Sequence, residues 1–263
     1  MSEKKILLKT PISYYGGKQS MLEHILPLIP AHSVYVEPFF GGGAVFWAKE
    51  PASAEIVNDY NGMVVNFYEQ LKTNFNELKR IIDATPYSRQ AYQKAMVVYE
   101  NPYIFNEITK AWAFWIGTAQ GFSNKIGSWR SSQKTVKETR LNDNKKNAFT
   151  KELSERLKLV QIEKKDAVEL IKQLDSPDTF FYIDPPYVGA DQGHYGGYTQ
   201  EHFNSLLQVL TGIKGKFLLS SYPNDILNTF RQNYNWNHKD VNKALSASNI
   251  SNRRKTECLT FNY

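Results

Sequence analysis

Apolar and polar positions change period several times along the chain, and the changes outline its elements. "SVYVEPFF" (33–40) is rich in β-formers and stops at three glycines, and "AVFWAKE" after them reads as a helix ended by Pro51. "AEIVNDYN" (54–61) predicts a second strand with a polar end. "LVQIEKKD" (159–166) predicts a third, followed by the helical "AVELIKQL". The apolar run Thr179–Ile183 predicts a buried fourth strand, "HFNSLLQVLTGI" a helix and "KFLLSSY" a fifth strand. "NWNHKDVNK" and "KTECLTFNY" predict a closing pair of strands. Strands alternating with helices indicate a parallel sheet covered on both faces.

Residues 63–150 break this alternation. "VVNFYEQL", "SRQAYQKAMVVYE" and "NEITKAWAFWIGTAQGF" are aromatic and helical in character, and then comes the polar, basic "SNKIGSWRSSQKTVKETRLNDNKKN". The segment reads as a mainly helical insertion between the second and third strands, ending in a basic loop. Trp112, Phe114 and Trp115 within it read as helix core rather than as a stacking platform.

Composition narrows the class. The chain has 263 residues, 41% hydrophobic and 22% charged, the make-up of a globular protein of one large domain or one domain with an insert. No run of about 18 apolar residues suggests a membrane span, and "MSEKKILLKTP" lacks the apolar core of a signal peptide. A lone cysteine, Cys258, excludes an internal disulfide and a zinc site of several cysteines. A reducing cytoplasm is the expected compartment, and no metal is expected. The net charge of +6 is unevenly placed. Residues 125–165 hold twelve Lys/Arg and five Asp/Glu, a balance of +7, so the rest of the chain carries −1. That suggests a polyanionic partner at this stretch; a solvated, lysine-rich helical face has the same composition.

In "YVEPFFGGGAVF" a strand feeds Gly41, Gly42 and Gly43, and a helix follows. Glycines there let a ligand approach the backbone and leave helix N–H groups pointing outward. Asp59 lies 18 residues beyond Gly41, near the spacing of about 20 at which an acid accepts from ribose hydroxyls in a nucleoside-binding βαβ unit. The dinucleotide pattern G-x-G-x-x-G is incomplete, which favours a nucleoside carrying an amino-acid tail. A tight turn with an unrelated surface aspartate fits the same letters. Asp166, after the third strand, is a candidate acceptor for an amino group on the ligand's base and a candidate N-cap of the next helix; the two roles are compatible.

Asp184, Pro185, Pro186 and Tyr187 close the fourth strand, at the edge where open α/β sheets bind ligands. The prolines carry no N–H, so the turn presents carbonyl oxygens beside a carboxylate. An exocyclic –NH₂ offers two donors and has a lone pair delocalised into its ring. Two acceptors on its hydrogens localise that lone pair and stabilise the positive charge that develops on attack. Tyr187 offers a flat face to the base.

With "YYGGKQSML", "EPFFGGGAVF", "NDYN", the basic insert, "IEKKDA" and "IDPPY" in that order, the chain resembles the Dam-type, α-group DNA N6-adenine methyltransferases over nearly its whole length. The resemblance implies an α/β, Rossmann-like class I methyltransferase sheet, mostly parallel with a closing antiparallel strand. Residues 1–62 and 151–263 are then the catalytic domain, and 63–150 the inserted, mainly helical target-recognition domain. It implies S-adenosyl-L-methionine as methyl donor and a flipped adenine in double-stranded DNA as target. On the matching positions, Asp184 and the Pro185 carbonyl grip N6, Pro186 completes the turn and Tyr187 stacks on the base. Asp59 takes the cofactor ribose, and Asp166 accepts from its adenine. Phe39, Phe40, Gly41 and Gly43 surround its methionine part, and Glu37 and Asp184 count among the cofactor contacts. Tyr14, Gly16, Gly17 and Lys18 line the site from the N-terminal element, with Lys18 pairing with the cofactor carboxylate or reaching DNA.

The DNA-facing candidates are Lys18, Asn124, Lys125, Trp129, Arg130 and Arg140. Arg130 and Arg140 have the fork for bidentate contact to guanine edges, although most such contacts go to phosphate. His194 and Tyr195 lie near the tip of a glycine-rich loop expected to close over the flipped base, and Arg253, Arg254 and Lys255 form a candidate phosphate clamp. "GFSNKIGSWR" does not align with the family's asparagine/arginine-rich pattern, so the recognition sequence is not given. The expected function is adenine-N6 methylation of a specific duplex sequence, with a companion restriction enzyme as a candidate partner. The alternatives are amino-methyl transfer to N4 of cytosine, to RNA or to a protein amide, and a catalytically silent DNA-binding homologue.

Overall fold

A computed structural model describes residues 8–122, 126–131, 135–188, 197–244 and 254–263. The chain divides into two compact units. One comprises Met1–Gln19, Gly41–Glu50 and Asp59–Lys164; the other comprises Ser20–Phe40, Pro51–Asn58 and Lys165–Tyr263. Among the described residues there are seven strands. No helix among them is long and apolar enough to cross a membrane.

The second unit holds six strands: β1 (Val34–Glu37), β2 (Ala54–Asn58), β4 (Thr179–Ile183), β5 (Lys216–Ser221), β6 (Asn237–Ala244) and β7 (Arg254–Phe261). They lie side by side in the order β2-β1-β4-β5-β7-β6. β1 runs parallel to β2 and β4, and β4 parallel to β5, while β7 is antiparallel to both β5 and β6. This is the expected Rossmann-like α/β sheet, mostly parallel and closed by an antiparallel pair. All five residues of β4 are buried, as a parallel strand covered on both faces requires. β6, at the edge, carries Lys239, Asp240 and Asn242, which discourage further pairing.

Val36, Phe181, Ile183, Phe217 and Leu219 of these strands pack with Leu170 and Ile171 of α9 (Ala167–Leu174) and Phe203, Leu206 and Leu207 of α10 (Gln200–Leu210). Leu227 and Phe230 of α11 (Asp225–Tyr234) join the same core. A one-turn helix, α1 (Leu22–Ile25), precedes β1. The chain leaves β1 toward β2 on one side and leaves β4 toward β5 on the other. The strand order therefore reverses between β1 and β4, and their carboxyl ends border the crevice where such sheets bind ligands.

The first unit is mainly helical. It contains α2 (Ala44–Ala48), α3 (Gly62–Thr73), α4 (Phe75–Ala84), α5 (Arg89–Glu100), α6 (Glu107–Gln120), α7 (Lys137–Ala148), α8 (Lys151–Leu157) and the short β3 (Gln161–Glu163). α6 is its centre, packed by α3, α4 and α5. Phe114 and Trp115 are buried there, as core residues, and the Trp112 indole donates to the Thr85 hydroxyl (2.7 Å). Asn61, Ser88 and Asn106 each accept from an N–H in the first turn of α3, α5 and α6, which fixes where those helices begin.

Two expectations need correction. β3 is shorter than the run 159–166, because Leu159 is exposed and Asp166 begins a helix. The expected basic loop contains the whole of α7. Only Asn142 of that helix is buried, so no apolar period marks it in the sequence. Its cations hold it instead. Lys145 Nζ donates to the Ala119 carbonyl (3.0 Å) in the last turn of α6. Lys146 Nζ donates to the carbonyls of Asp83 (3.0 Å) and Thr85 (2.6 Å) at the end of α4. Ammonium groups satisfying the orphan carbonyls at helix C-termini stabilise both the bond and the helix dipole. Burial pushes the Lys145 ammonium down to about 8, with Arg130 adding to the fall and Glu138 opposing it.

Candidate active site

The first unit builds a loop braced from two sides. Tyr14–Gly17 is a turn closed by the Gly17 N–H to the Tyr14 carbonyl (3.2 Å), with Gly16 at φ +79°, the left-handed position a type II turn requires. Lys18 follows, 6% exposed, and donates to the Gly16 carbonyl (2.9 Å). Tyr14 is buried with its ring 6.0 Å from that of Phe114. A Cβ on Gly42 would lie 3.2 Å from the Tyr14 Cβ. The "YYGGK" and "GGG" motifs are thus packed on one another, and Tyr14 backs the loop.

The Gly41 N–H donates to Asp59 Oδ2 (2.8 Å), and the Gly41 carbonyl accepts from the Tyr68 hydroxyl (2.9 Å). Asp59 Oδ1 accepts from the Asn61 N–H (2.8 Å). Asp59 is 2% exposed, and burial pushes its carboxyl up to about 6 against the pull of those two N–H groups. A carboxylate has about four acceptor positions. These two bonds leave some for a ligand's hydroxyls.

The second unit presents the β4 terminus. Asp184 is half-buried, Pro185 buried, and Pro186 and Tyr187 partly exposed. The Tyr187 hydroxyl donates to Glu257 Oε1 (2.8 Å), and its ring meets Tyr222 edge-on with centroids 4.4 Å apart. Burial, then the Asp184 charge, then Glu257 hold the Tyr187 phenol well above its ordinary range, so it stays a donor. Burial and the Asp184 charge do the same to Tyr182, whose hydroxyl shares a hydrogen bond with Ser220 (3.2 Å). An open recess of ≈ 280 Å³ lies beside the turn, walled by Pro185, Pro186, Tyr187, Phe203, Ser221 and Tyr222 among others. Ser221 Oγ is buried in that wall with no hydrogen-bond partner among the described residues.

Around the crevice, Glu37 is buried and accepts from the Tyr35 hydroxyl (2.7 Å). Phe39 meets Tyr198 at right angles (6.1 Å). Phe40 is buried, and its N–H donates to the Asn58 carbonyl (2.9 Å). Asp166 Oδ1 accepts from the N–H groups of Val168 (2.9 Å) and Glu169 (3.1 Å), so the N-cap reading of this residue is what the fold uses.

The DNA-facing candidates fare differently. Arg130 does not display a fork to solvent: its Nε pairs with Glu138 Oε2 (2.6 Å) and a terminal nitrogen donates to the Ala119 carbonyl (3.1 Å). Trp129 lies against Tyr87 (5.5 Å) and under the Arg89 guanidinium (4.6 Å). Arg130 ties α6 to α7 and Trp129 packs at the start of α5, and composition alone could not reveal it because the partners are unmarked in the sequence. Arg130→Ala should therefore lower stability by about 1.5–3 kcal/mol, the worth of hydrogen bonds to a charged group, read as a shifted denaturant midpoint. A variant as stable as the parent that binds DNA more weakly would return Arg130 to the DNA side. Arg140 is exposed. Asn124, Lys125, His194, Tyr195 and Arg253 lie outside the described residues, as do the side chains of Arg254 and Lys255.

The D12 class N6 adenine-specific DNA methyltransferase family matches residues 14–256. The chain belongs to this family. It is 25% identical over 296 residues to Type II methyltransferase M1.LlaDCHI of Lactococcus lactis subsp. cremoris, covering all of this chain and 98% of that protein. It is 24% identical over 300 residues to Modification methylase StsI of Streptococcus sanguinis, covering all of this chain and 44% of the relative. It is 31% identical over 101 residues to DNA N-6-adenine-methyltransferase of Escherichia phage P1, covering 38% of this chain and 13% of the relative. A D12 methyltransferase is an enzyme that methylates adenine N6 in DNA, and its family implies a methyl donor of the S-adenosylmethionine type.

Two residues of this D12 methyltransferase escaped the sequence reading. Asn58, 1% exposed, donates to the carbonyls of Pro38 (2.9 Å) and Lys165 (3.1 Å) and accepts from the Lys165 N–H (2.8 Å). It clamps the ends of β1 and β2 and the approach to α9, and a polar residue at a strand's buried end was its only signal. Glu257, 6% exposed on β7, holds Tyr187 and had no signal at all, because the contact spans 70 positions.

Proposed function

We propose that this methyltransferase transfers the methyl group of S-adenosyl-L-methionine to N6 of an adenine flipped out of duplex DNA, with Asp184 and the Pro185 carbonyl as the N6 acceptors. The supporting observation is the β4 terminus: a half-buried carboxylate and two prolines at the crevice where the strand order reverses, beside an aromatic wall of Tyr187 and Tyr222. When bound, S-adenosylmethionine supplies an electrophilic methyl group. Asp184 and Pro185 accept the two N6 hydrogens, which returns the lone pair to nitrogen and offsets its developing charge. Tyr187 stacks on the base and excludes water from one face.

The chain's own residues suit such a cofactor. Asp59, buried with acceptor positions to spare, takes the ribose hydroxyls; Gly41 and Gly43, both with positive φ, bring backbone close to the methionine part. By the family resemblance Lys18, Glu37, Phe39 and Phe40 are further cofactor contacts, and Asp166 accepts from the cofactor's adenine. Residues 63–150 serve as target-recognition domain, with Arg140 at an exposed position for DNA. The enzyme works in the cytoplasm, and relatives named as modification methylases suggest a companion restriction enzyme.

The test is transfer of labelled methyl from S-adenosylmethionine to unmethylated duplex DNA, followed by nucleoside analysis. N6-methyladenine is expected. N4-methylcytosine alone would reject the base assignment, and no heat of cofactor binding in calorimetry would support a silent homologue.

A further inference from the structure

We propose that Glu257 is a positioning residue for methyl transfer, fixing the Tyr187 ring in the plane on which the target base stacks. The inference rests on the reading above, in which Tyr187 is the stacking residue. It explains an arrangement that packing alone would not select. Phenylalanine at 187 would present the same ring face and would need no partner, but nothing would hold its tip. A tyrosine there must satisfy a hydroxyl turned inward, and it does so on a carboxylate that is itself 6% exposed. Taking both groups from water is costly unless they bond to each other.

What the pair supplies is orientation. A tyrosine ring is set by two torsions, and the second of them is broad. Tyr222 touches the Tyr187 ring from the side, at 64° between planes and 4.4 Å between centroids. Glu257 holds the far tip through a 2.8 Å hydrogen bond. A wall on the flank and a tether at the tip leave neither torsion free. Both restraints come from neighbouring strands: β5 and β7 pair with Ser221 opposite Cys258, so Tyr222 follows β5 where Glu257 sits on β7. The closing strand β7 is thereby an anchor of the turn. The phenol is held well above its ordinary range, so the hydroxyl keeps the proton it donates to Glu257.

The experiment compares the parent with Glu257→Ala, Glu257→Gln, Tyr187→Phe, Tyr187→Ala and the double variant Glu257→Ala/Tyr187→Phe. Single-turnover methylation, cofactor affinity and melting temperature are measured for each. Glu257→Ala should slow transfer by about 100-fold, the scale of an ångström-sized misplacement, with cofactor affinity unchanged. Glu257→Gln, which keeps an acceptor, should recover most of the rate. Tyr187→Phe, which removes only the hydroxyl and opens no cavity, should match Glu257→Ala, and the double variant should be no slower than either, as two halves of one contact require. Parent-like transfer by Glu257→Ala, or losses that multiply in the double variant, would overturn the assignment. Parent-like transfer by Tyr187→Ala would instead remove the stacking role of Tyr187 and leave the Glu257 contact without a catalytic purpose.

Discussion

Asp184→Ala should cut single-turnover methyl transfer by about 100- to 1000-fold, the usual cost of removing one preorganised group from a developing charge. Duplex binding should survive, because the proposed partners of the side chain are the extruded amine and the cofactor rather than the duplex backbone. Folding should survive as well. Asp184 is a half-buried carboxylate whose charge raises the phenols of Tyr182 and Tyr187. Asp184→Asn keeps one carbonyl acceptor without the charge, so it should fall between the parent and alanine. The check is rapid-quench methylation beside a DNA-binding titration. A variant that loses both transfer and DNA binding would show that Asp184 holds the fold or the duplex rather than the reacting nitrogen.

Asp59 carries the second large effect, and it has a pH signature. Asp59→Ala should weaken cofactor binding by about 10- to 100-fold, as expected when hydrogen bonds to a charged acceptor are lost. The carboxyl sits at about 6 in the folded protein against an ordinary 3.8, and burial is the main cause. A ribose hydroxyl bonds more strongly to the ionised form, a charged acceptor. Cofactor affinity should therefore be flat from neutral to mildly alkaline pH and weaken as pH falls through about 6. Stability of the ligand-free chain should move the opposite way. Between 3.8 and about 6 the folded state holds a proton that the unfolded state has released, so stability declines as pH rises across that window. Both slopes should disappear in Asp59→Asn. Calorimetry across that window and thermal melts in the same buffers read them. A pH-independent affinity in the parent would place the ribose elsewhere.

The fold was legible where burial imposes a period. The unbroken run of β4 and the alternation of strands and helices around it announced a parallel sheet, and the sheet is there. The glycine turn and the acid after β2 were legible because backbone geometry leaves few residues that fit: Gly41 and Gly43 adopt positive φ, and Asp59 is bound to Gly41. α7 was hidden because it packs through lysine ammoniums on helix ends, and such contacts leave no apolar stripe. Arg130, a cation counted toward a polyanionic partner, is paired with Glu138. Net charge reports how many cations a stretch holds, not how many remain at the surface. Glu257 could not be found from letters, because its contact depends on a closing strand that returns beside the turn after β4.

The central claim is that the end of β4 clasps the adenine amine. A crystal structure with a target duplex and sinefungin, an inert cofactor analogue, measures it directly. N6 of the extruded adenine should lie within hydrogen-bonding distance, about 2.7–3.2 Å, of both an Asp184 carboxylate oxygen and the Pro185 carbonyl. An extruded base whose N6 is held by other groups, with Asp184 turned toward solvent, would contradict it.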